Sequence, residues 1–133
     1  MAVVKADGYG HGAETVARAA LQGGATSLGV ATLREGLELR RAGLEAPVLL
    51  LSNLNEPDDL RTCLYWRLMP TLSSLRDAQL CNELAADSGR CFDVQLKIDT
   101  GMARLGCPLS DGYQTAAELQ SLENLNLEGI YSH

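Results

Sequence analysis

The sequence predicts an α/β fold, a parallel sheet whose strands alternate with helices. Two observations carry this. Strand-length apolar runs alternate with segments of helical apolar spacing, strand then helix five times and then a last strand. Capping residues and glycine stops punctuate the alternation. Repeated strand–helix units imply parallel pairing with right-handed crossovers. Two architectures fit: a doubly wound open sheet, and an incomplete (β/α)8 barrel of about six strands and five helices. The pattern leaves both open.

Ala2-Val3-Val4 is a short β-branched run and reads as the first strand. Val16, Ala17, Ala20 and Leu21 recur at helical spacing, and Gly23-Gly24 stop that helix. Ser27 to Ala31 reads as the second strand. Thr32 with Glu35 three residues on forms a capping box for a helix carrying Leu33, Leu37 and Leu39 and ending at Gly43. Val48 to Leu51 is the third strand. The next helix starts at Asn55 or Glu56, with Pro57 in its first turn, where a missing N–H costs nothing. Leu68 to Thr71 is a weaker strand because Pro70 interrupts it. Ser73 or Ser74 caps a helix with Leu75, Ala78, Cys81, Leu84 and Ala85 on one face. Phe92 to Ile98 is the fifth strand. Ser110 opens a helix expected to face Tyr113, Ala116, Ala117 and Leu119 inward, and Leu127 to Ser132 is the sixth strand.

The 133 residues suit one domain or part of one. The formal charge of −6 argues against a nucleic-acid backbone or an anionic membrane surface as partner. No apolar stretch approaches the ~20 residues of a membrane span. The N-terminus lacks the apolar core of a secretory signal, so a cytoplasmic location is expected. Four cysteines, Cys63, Cys81, Cys91 and Cys107, form no C-x-x-C pair, and the two histidines are far apart. No metal site is expected from that spacing, and the cysteines read as reduced, partly buried thiols.

In parallel α/β folds ligands sit at the carboxyl ends of the strands, so the residues just past each strand matter most. Lys5 ends the first strand, and Gly8, Gly10 and Gly12 follow it, alternating with Tyr9 and His11. A lysine there can be a solvated surface residue. The glycines instead favour positive φ and close backbone approach to a ligand, and the loop runs into a helix N-terminus suited to an anion. Lys5 then either binds a phosphate or forms a Schiff base with a phosphate-bearing carbonyl compound. It is not a Walker lysine, which follows its glycines. The fifth strand ends in Lys97-Ile98-Asp99-Thr100-Gly101-Met102-Ala103-Arg104-Leu105-Gly106. This is either a tight glycine turn with a surface arginine or a mount for Arg104 as partner of a carboxylate or phenolate. Lys97 and Asp99 share a side of the strand, so Lys97 needs a buried partner. His133 follows the sixth strand.

VVKADGYGHG, Val3 to Gly12, closely resembles the pyridoxal-phosphate attachment motif of alanine racemases. KIDTGMARLG, Lys97 to Gly106, resembles the family's second signature, and GIYSH, Gly129 to His133, a third. The spacings between them also fit, and the resemblance covers the whole chain. It implies a fold-type III pyridoxal-phosphate isomerase working as a homodimer, with a (β/α)8 barrel followed by a β domain. The reaction implied is interconversion of L- and D-alanine, supplying D-alanine for cell-wall peptidoglycan.

By that resemblance, Lys5 carries pyridoxal 5′-phosphate and serves as base on the D-alanine face. Tyr9 contacts the cofactor phosphate. Arg104 reaches the phenolic oxygen and the substrate carboxylate. Lys97 matches a lysine that some members carbamylate, which would orient the arginine. His133 matches a histidine that contacts a further arginine near the pyridine nitrogen. The opposing base in the family is a tyrosine from the other subunit. Residues 1–133 correspond to the N-terminal barrel portion, without the last two strand–helix units and the β domain. Little turnover is therefore expected of this chain alone. The alternatives are a non-catalytic remnant that at most captures the cofactor, and a racemase for another small amino acid such as serine.

Overall fold

The computed structural model describes residues 1–133. The chain runs β1 (Ala2–Val3), α1 (Lys5–Gly10), α2 (Ala13–Gln22), β2 (Leu28–Val30), α3 (Leu33–Arg41), β3 (Val48–Asn53) and α4 (Pro57–Trp66). It continues β4 (Leu68–Leu72), α5 (Leu75–Asp87), β5 (Phe92–Asp99), β6 (Cys107–Pro108), α6 (Gly112–Gln120) and β7 (Leu125–Tyr131).

All six expected strands and all five expected helices form. Two short elements are additional. The segment α1 is a left-handed turn, and β6 pairs with the last two residues of β5.

The sheet order separates the two architectures that the pattern left open. Strands β1, β2, β3, β4, β5 and β7 are parallel neighbours in chain order. A doubly wound sheet reverses direction at a switch point; this one never does. Its residues also divide cleanly between faces. Leu28, Val30, Val48, Leu50, Leu68, Leu72, Phe92, Val94 and Leu96 pack with helix residues such as Ala17, Leu39, Leu60, Ala78 and Leu119 in one core. Leu49 and Met69 are buried yet lie outside that core, on the other face. Helices cover one side only, as in a barrel wall, and the arrangement is a partial (β/α)8 barrel.

Local signals behave as read. Thr32 accepts from the Glu35 backbone, and the Glu35 side chain accepts from the Thr32 backbone, completing the box. Ser74 Oγ accepts from Asp77 N, and Pro57 stands in the first turn of α4. Pro70 is accommodated inside β4. It lies in register with Leu50, the β3–β4 ladder shifts just beyond, and pairing with β5 begins only at Thr71. The inward face of α6 differs from expectation. Tyr113 is 89% exposed and Ala117 is exposed, while Gly112, Thr115 and Leu119 are buried. Gly112 packs against Ile98, where a Cβ would come within 3.0 Å of Cδ1, and this contact sets the rotation of the helix.

At the amino ends of the strands, Arg40 binds four carbonyl oxygens. Its guanidinium donates to Trp66 at 2.9 Å, Leu44 at 2.7 Å, Ala46 at 2.8 Å and Arg67 at 2.7 Å. It ties the end of α3 to the end of α4 and to the entry of β3. No helix is long and apolar enough to cross a membrane.

Candidate active site

The chain has two lysines, Lys5 and Lys97. Lys5 stands just past the carboxyl end of β1, and Lys97 near the carboxyl end of β5.

Lys5 does not enter an open loop. Ala6, Asp7, Gly8 and Tyr9 take φ from 51° to 61° and ψ from 38° to 50°, one left-handed helical turn. Such a turn costs ordinary L-residues about 1–2 kcal/mol each. Only Gly8 of the four escapes that cost, and it is buried, with space for a Cβ limited by Val16 Cγ2 at 3.0 Å. Hydrogen bonds hold the turn. Gly8 N donates to Val4 O, and Gly12 N to Asp7 O, both at 2.9 Å. His11 Nδ1 lies 3.2 Å from Gly8 O and 3.1 Å from Tyr9 O, so that nitrogen carries the proton.

The helix N-terminus that follows is not free. Asp7 Oδ1 accepts from Ala13 N at 2.7 Å. A side-chain carboxylate thus supplies the anion that the sequence reading leaves to a ligand. Tyr9 is 62% exposed.

Lys97 is 4% exposed and sits on the helix-free face. Its register partner is Tyr131. The ammonium lies 5.6 Å from the Tyr131 ring centre. It forms no ion pair; the three ion pairs of the chain lie on helix surfaces. Burial pushes the Lys97 pKa down, Arg104 pushes it further, Asp99 opposes, and Lys5 adds to the lowering. The structure therefore brings Lys5, Lys97 and Arg104 into one electrostatic neighbourhood. Tyr9 and His133 are exposed, and neither side chain hydrogen-bonds these cations.

Arg104 rides on a loop that Asp99 shapes. Asp99 Oδ1 accepts from Gly101 N at 2.9 Å and Ala103 N at 3.1 Å. Those backbone donors hold the Asp99 carboxyl below its ordinary pKa. Gly106 closes the loop with φ 127°, and a Cβ there would sit 2.6 Å from Asp99 N. Thr100 Oγ1 meets Ser132 Oγ at 2.6 Å, joining the loop to the end of β7 beside His133.

Two groups outside the sequence reading complete the floor. Thr71 Oγ1 donates to Leu50 O at 2.7 Å, which uses its one proton. Tyr131 Oη, 2.7 Å from Thr71 Oγ1, is therefore the donor of that pair. Burial raises the Tyr131 pKa, so the phenol is kept neutral and donating.

A cavity of about 460 Å³ opens elsewhere, lined by Arg40, Val48, Arg67, Leu68, Arg90 and Phe92 among others. It lies at the amino ends of the strands, away from both lysines. The open carboxyl end holds the convergent charged groups, and parallel α/β folds bind ligands there.

Residues 1–133 match the family model described as alanine racemase, N-terminal domain. The chain belongs to the alanine racemase family. An alanine racemase of Prochlorococcus marinus is 60% identical over 133 residues, all of this chain and 34% of that protein. One from Synechocystis is 51% identical, again over all of this chain and 36% of its relative. The chain thus spans about a third of the length of the curated relatives it matches. The solved alanine racemase of Clostridium difficile 630 in complex with cycloserine superposes with TM-score 0.92 at 37% identity, over 99% of this chain and 36% of that one. A histidine racemase from Leuconostoc mesenteroides superposes with TM-score 0.88 at 29% identity, over all of this chain and 36% of that one. This segment of the alanine racemase fold is therefore shared with a racemase named for a different amino acid.

Proposed function

We propose that this chain is the cofactor-anchoring part of a pyridoxal-phosphate-dependent alanine racemase, the N-terminal portion of its barrel. The observation that carries the reading is the convergence of Lys5, Lys97 and Arg104 at the carboxyl end of a one-sided parallel sheet, with no carboxylate ion-paired to any of them. Unpaired cations suit a ligand bearing a phosphate, a phenolate and a carboxylate. The residues present fit such a group: a lysine amine without an ion pair for the aldehyde, an exposed phenol on the adjoining turn, and an arginine on a braced loop.

In this reading Lys5 holds the aldehyde and moves the Cα proton on one face of the substrate. Tyr9 donates to the phosphate. Arg104 binds the phenolic oxygen and orients the substrate carboxylate. When bound, pyridoxal phosphate spreads the charge left on Cα once the proton departs. A positioned base adds about 10²–10⁴-fold. Lys97 is suited to carbamylation. Its lowered pKa favours the neutral amine, which adds carbon dioxide and releases a proton, turning a cation beside Arg104 into an anion. His133 belongs to the support of the pyridine end. The same proposal includes the rest of the barrel, a β domain, an opposing base and a homodimeric, cytoplasmic assembly, with L-alanine and D-alanine as the substrates of first choice.

A second reading concerns specificity. The fold match to a histidine racemase favours treating the amino acid as open, because side-chain selection is worth only about 1–3 kcal/mol per methylene and lies in the pocket walls. The test measures racemisation of alanine, serine and histidine by the purified chain with cofactor, alongside borohydride trapping and peptide mapping. The expected result is pyridoxyl label on Lys5 with little turnover by the chain alone. Label on Lys97 or on the N-terminus, with Lys5 unmodified, would overturn the reading.

A further inference from the structure

Glu35 does more than close the capping box of α3. Its Oε2 accepts from Thr32 N at 3.0 Å, the contact that the box requires, and from Ala31 N at 2.7 Å. Its Oε1 accepts from Ala6 N at 2.7 Å, across 29 residues of sequence. Ala6 is the first left-handed residue and follows Lys5 directly. One half-buried carboxylate therefore joins three backbone points: the turn that carries Lys5, the end of β2 and the cap of α3. The Gly8, His11 and Gly12 amides find carbonyls within or beside the turn. The Ala6 amide instead relies on Glu35.

We propose that Glu35 is a positioning residue for Lys5, setting the backbone direction from which the lysine reaches its ligand. The proposal rests on the reading of Lys5 as the aldehyde-holding residue. The logic is mechanical. Buried Val4, on one side of Lys5, is fixed by its N–H donating to Gly29 O at 2.8 Å and its carbonyl accepting from Gly8 N at 2.9 Å, and the amide of Ala6, on the other side, is fixed by Glu35. An ionised carboxylate at a helix N-terminus is itself favoured there, which makes it a firm anchor. Charge-assisted hydrogen bonds to N–H groups are roughly twice as strong as neutral ones.

The test compares Glu35→Ala with Thr32→Ala in the full chain. Thr32→Ala removes the other half of the box, the 3.3 Å contact from Glu35 N to Thr32 Oγ1, and leaves the Ala6 contact in place. Three readouts are used. Amide exchange at Ala6 needs no cofactor. Borohydride trapping reads the rate at which pyridoxal phosphate joins Lys5, where condensation releases water and hydride fixes the new C–N bond. Induced circular dichroism per mole of trapped pyridoxyl reads orientation rather than yield.

Glu35→Ala is expected to speed Ala6 exchange and slow Lys5 labelling by about tenfold each, the equivalent of one lost charge-assisted bond, and to lose most of the induced dichroism. Thr32→Ala is expected to match the parent in all three. Parental labelling and dichroism in Glu35→Ala would overturn the proposal, and so would equal losses in Thr32→Ala. If Glu35→Ala does not fold, Glu35→Leu, which keeps the bulk and removes both acceptor oxygens, is read in the same way. Failure of the parent chain to label Lys5 counts against the aldehyde reading and takes the proposal with it, while the Ala6 exchange separately tests the Glu35 anchor.

Discussion

Lys97 Nζ lies 5.6 Å from the centre of the Tyr131 ring because the two residues face each other in register across β5 and β7. The ring face compensates the buried ammonium, together with the Asp99 carboxylate on the same side of β5. The hydroxyl of the same tyrosine donates to Thr71, which donates in turn to Leu50 O. One side chain thus serves a cation with its face and a hydrogen-bond chain with its tip.

Substitution separates those two contributions. Tyr131→Phe keeps the ring and loses the Thr71 contact, with an expected cost of about 1 kcal/mol. Tyr131→Leu also loses the cation–π contact, for about 1–2 kcal/mol more. Urea unfolding midpoints check the order, and equal losses in the two variants would mean that the ring face contributes nothing.

Lys97 also predicts a pH dependence. Its pKa is lowered in the folded chain by burial, then by Arg104. Below the folded value both states are protonated, and the folded chain bears the full penalty. As pH rises through that value toward the ordinary 10.5, the penalty fades, because the unfolded chain now holds the proton more tightly. Lys97→Met should therefore stabilise the uncarbamylated chain most at neutral pH and progressively less toward pH 10.5. Unfolding midpoints of parent and variant across that range, in carbon-dioxide-free buffer, check the sign.

The thiols divide by burial. Cys63, Cys81 and Cys107 are buried and Cys91 is exposed. Burial pushes the Cys63 and Cys81 pKa values up to about 12, which leaves almost no thiolate at neutral pH. A colorimetric disulfide reagent should find one fast-reacting thiol in the native chain and four after denaturation. Cys91→Ser should abolish the fast phase.

The left-handed turn makes opposite predictions at neighbouring positions. Ala6→Gly relieves the positive-φ strain at φ 51° and adds disorder to the unfolded chain, for a net gain of about 0.5–1 kcal/mol. Gly8→Ala adds that strain and presses a methyl to 3.0 Å from Val16 Cγ2, for a loss of about 1–3 kcal/mol. Thermal unfolding of the two variants should shift in opposite directions.

The elements legible in the sequence are those whose causes are local. The Thr32–Glu35 box, Pro57 at the start of α4, the Ser74 cap and the shared side of Lys97 and Asp99 all follow from residues within four positions of each other. The rotation of α6 was not legible, because Gly112 against Ile98 sets it from another element. Glycines at 8, 10 and 12 announce positive φ, but Ala6, Asp7 and Tyr9 adopt it too, held by contacts as distant as Glu35. The family motifs identify Lys5, Lys97 and Arg104 as residues of interest. The pairing of Tyr131 with Thr71 emerges only when β4 and β7, 60 residues apart, are set on either side of β5.

The turn after Lys5 has the screw sense natural to D-amino acids, for which φ near +60° is the relaxed helical value rather than the strained one. Chemical synthesis with D-alanine at position 6 would place a mirror-image residue where the backbone already has mirror-image geometry. The chain's L-residues are held there by packing and hydrogen bonds against their own chirality. The backbone at this point thus stores a handedness conflict at the base of the lysine's side chain, and any local melting releases it.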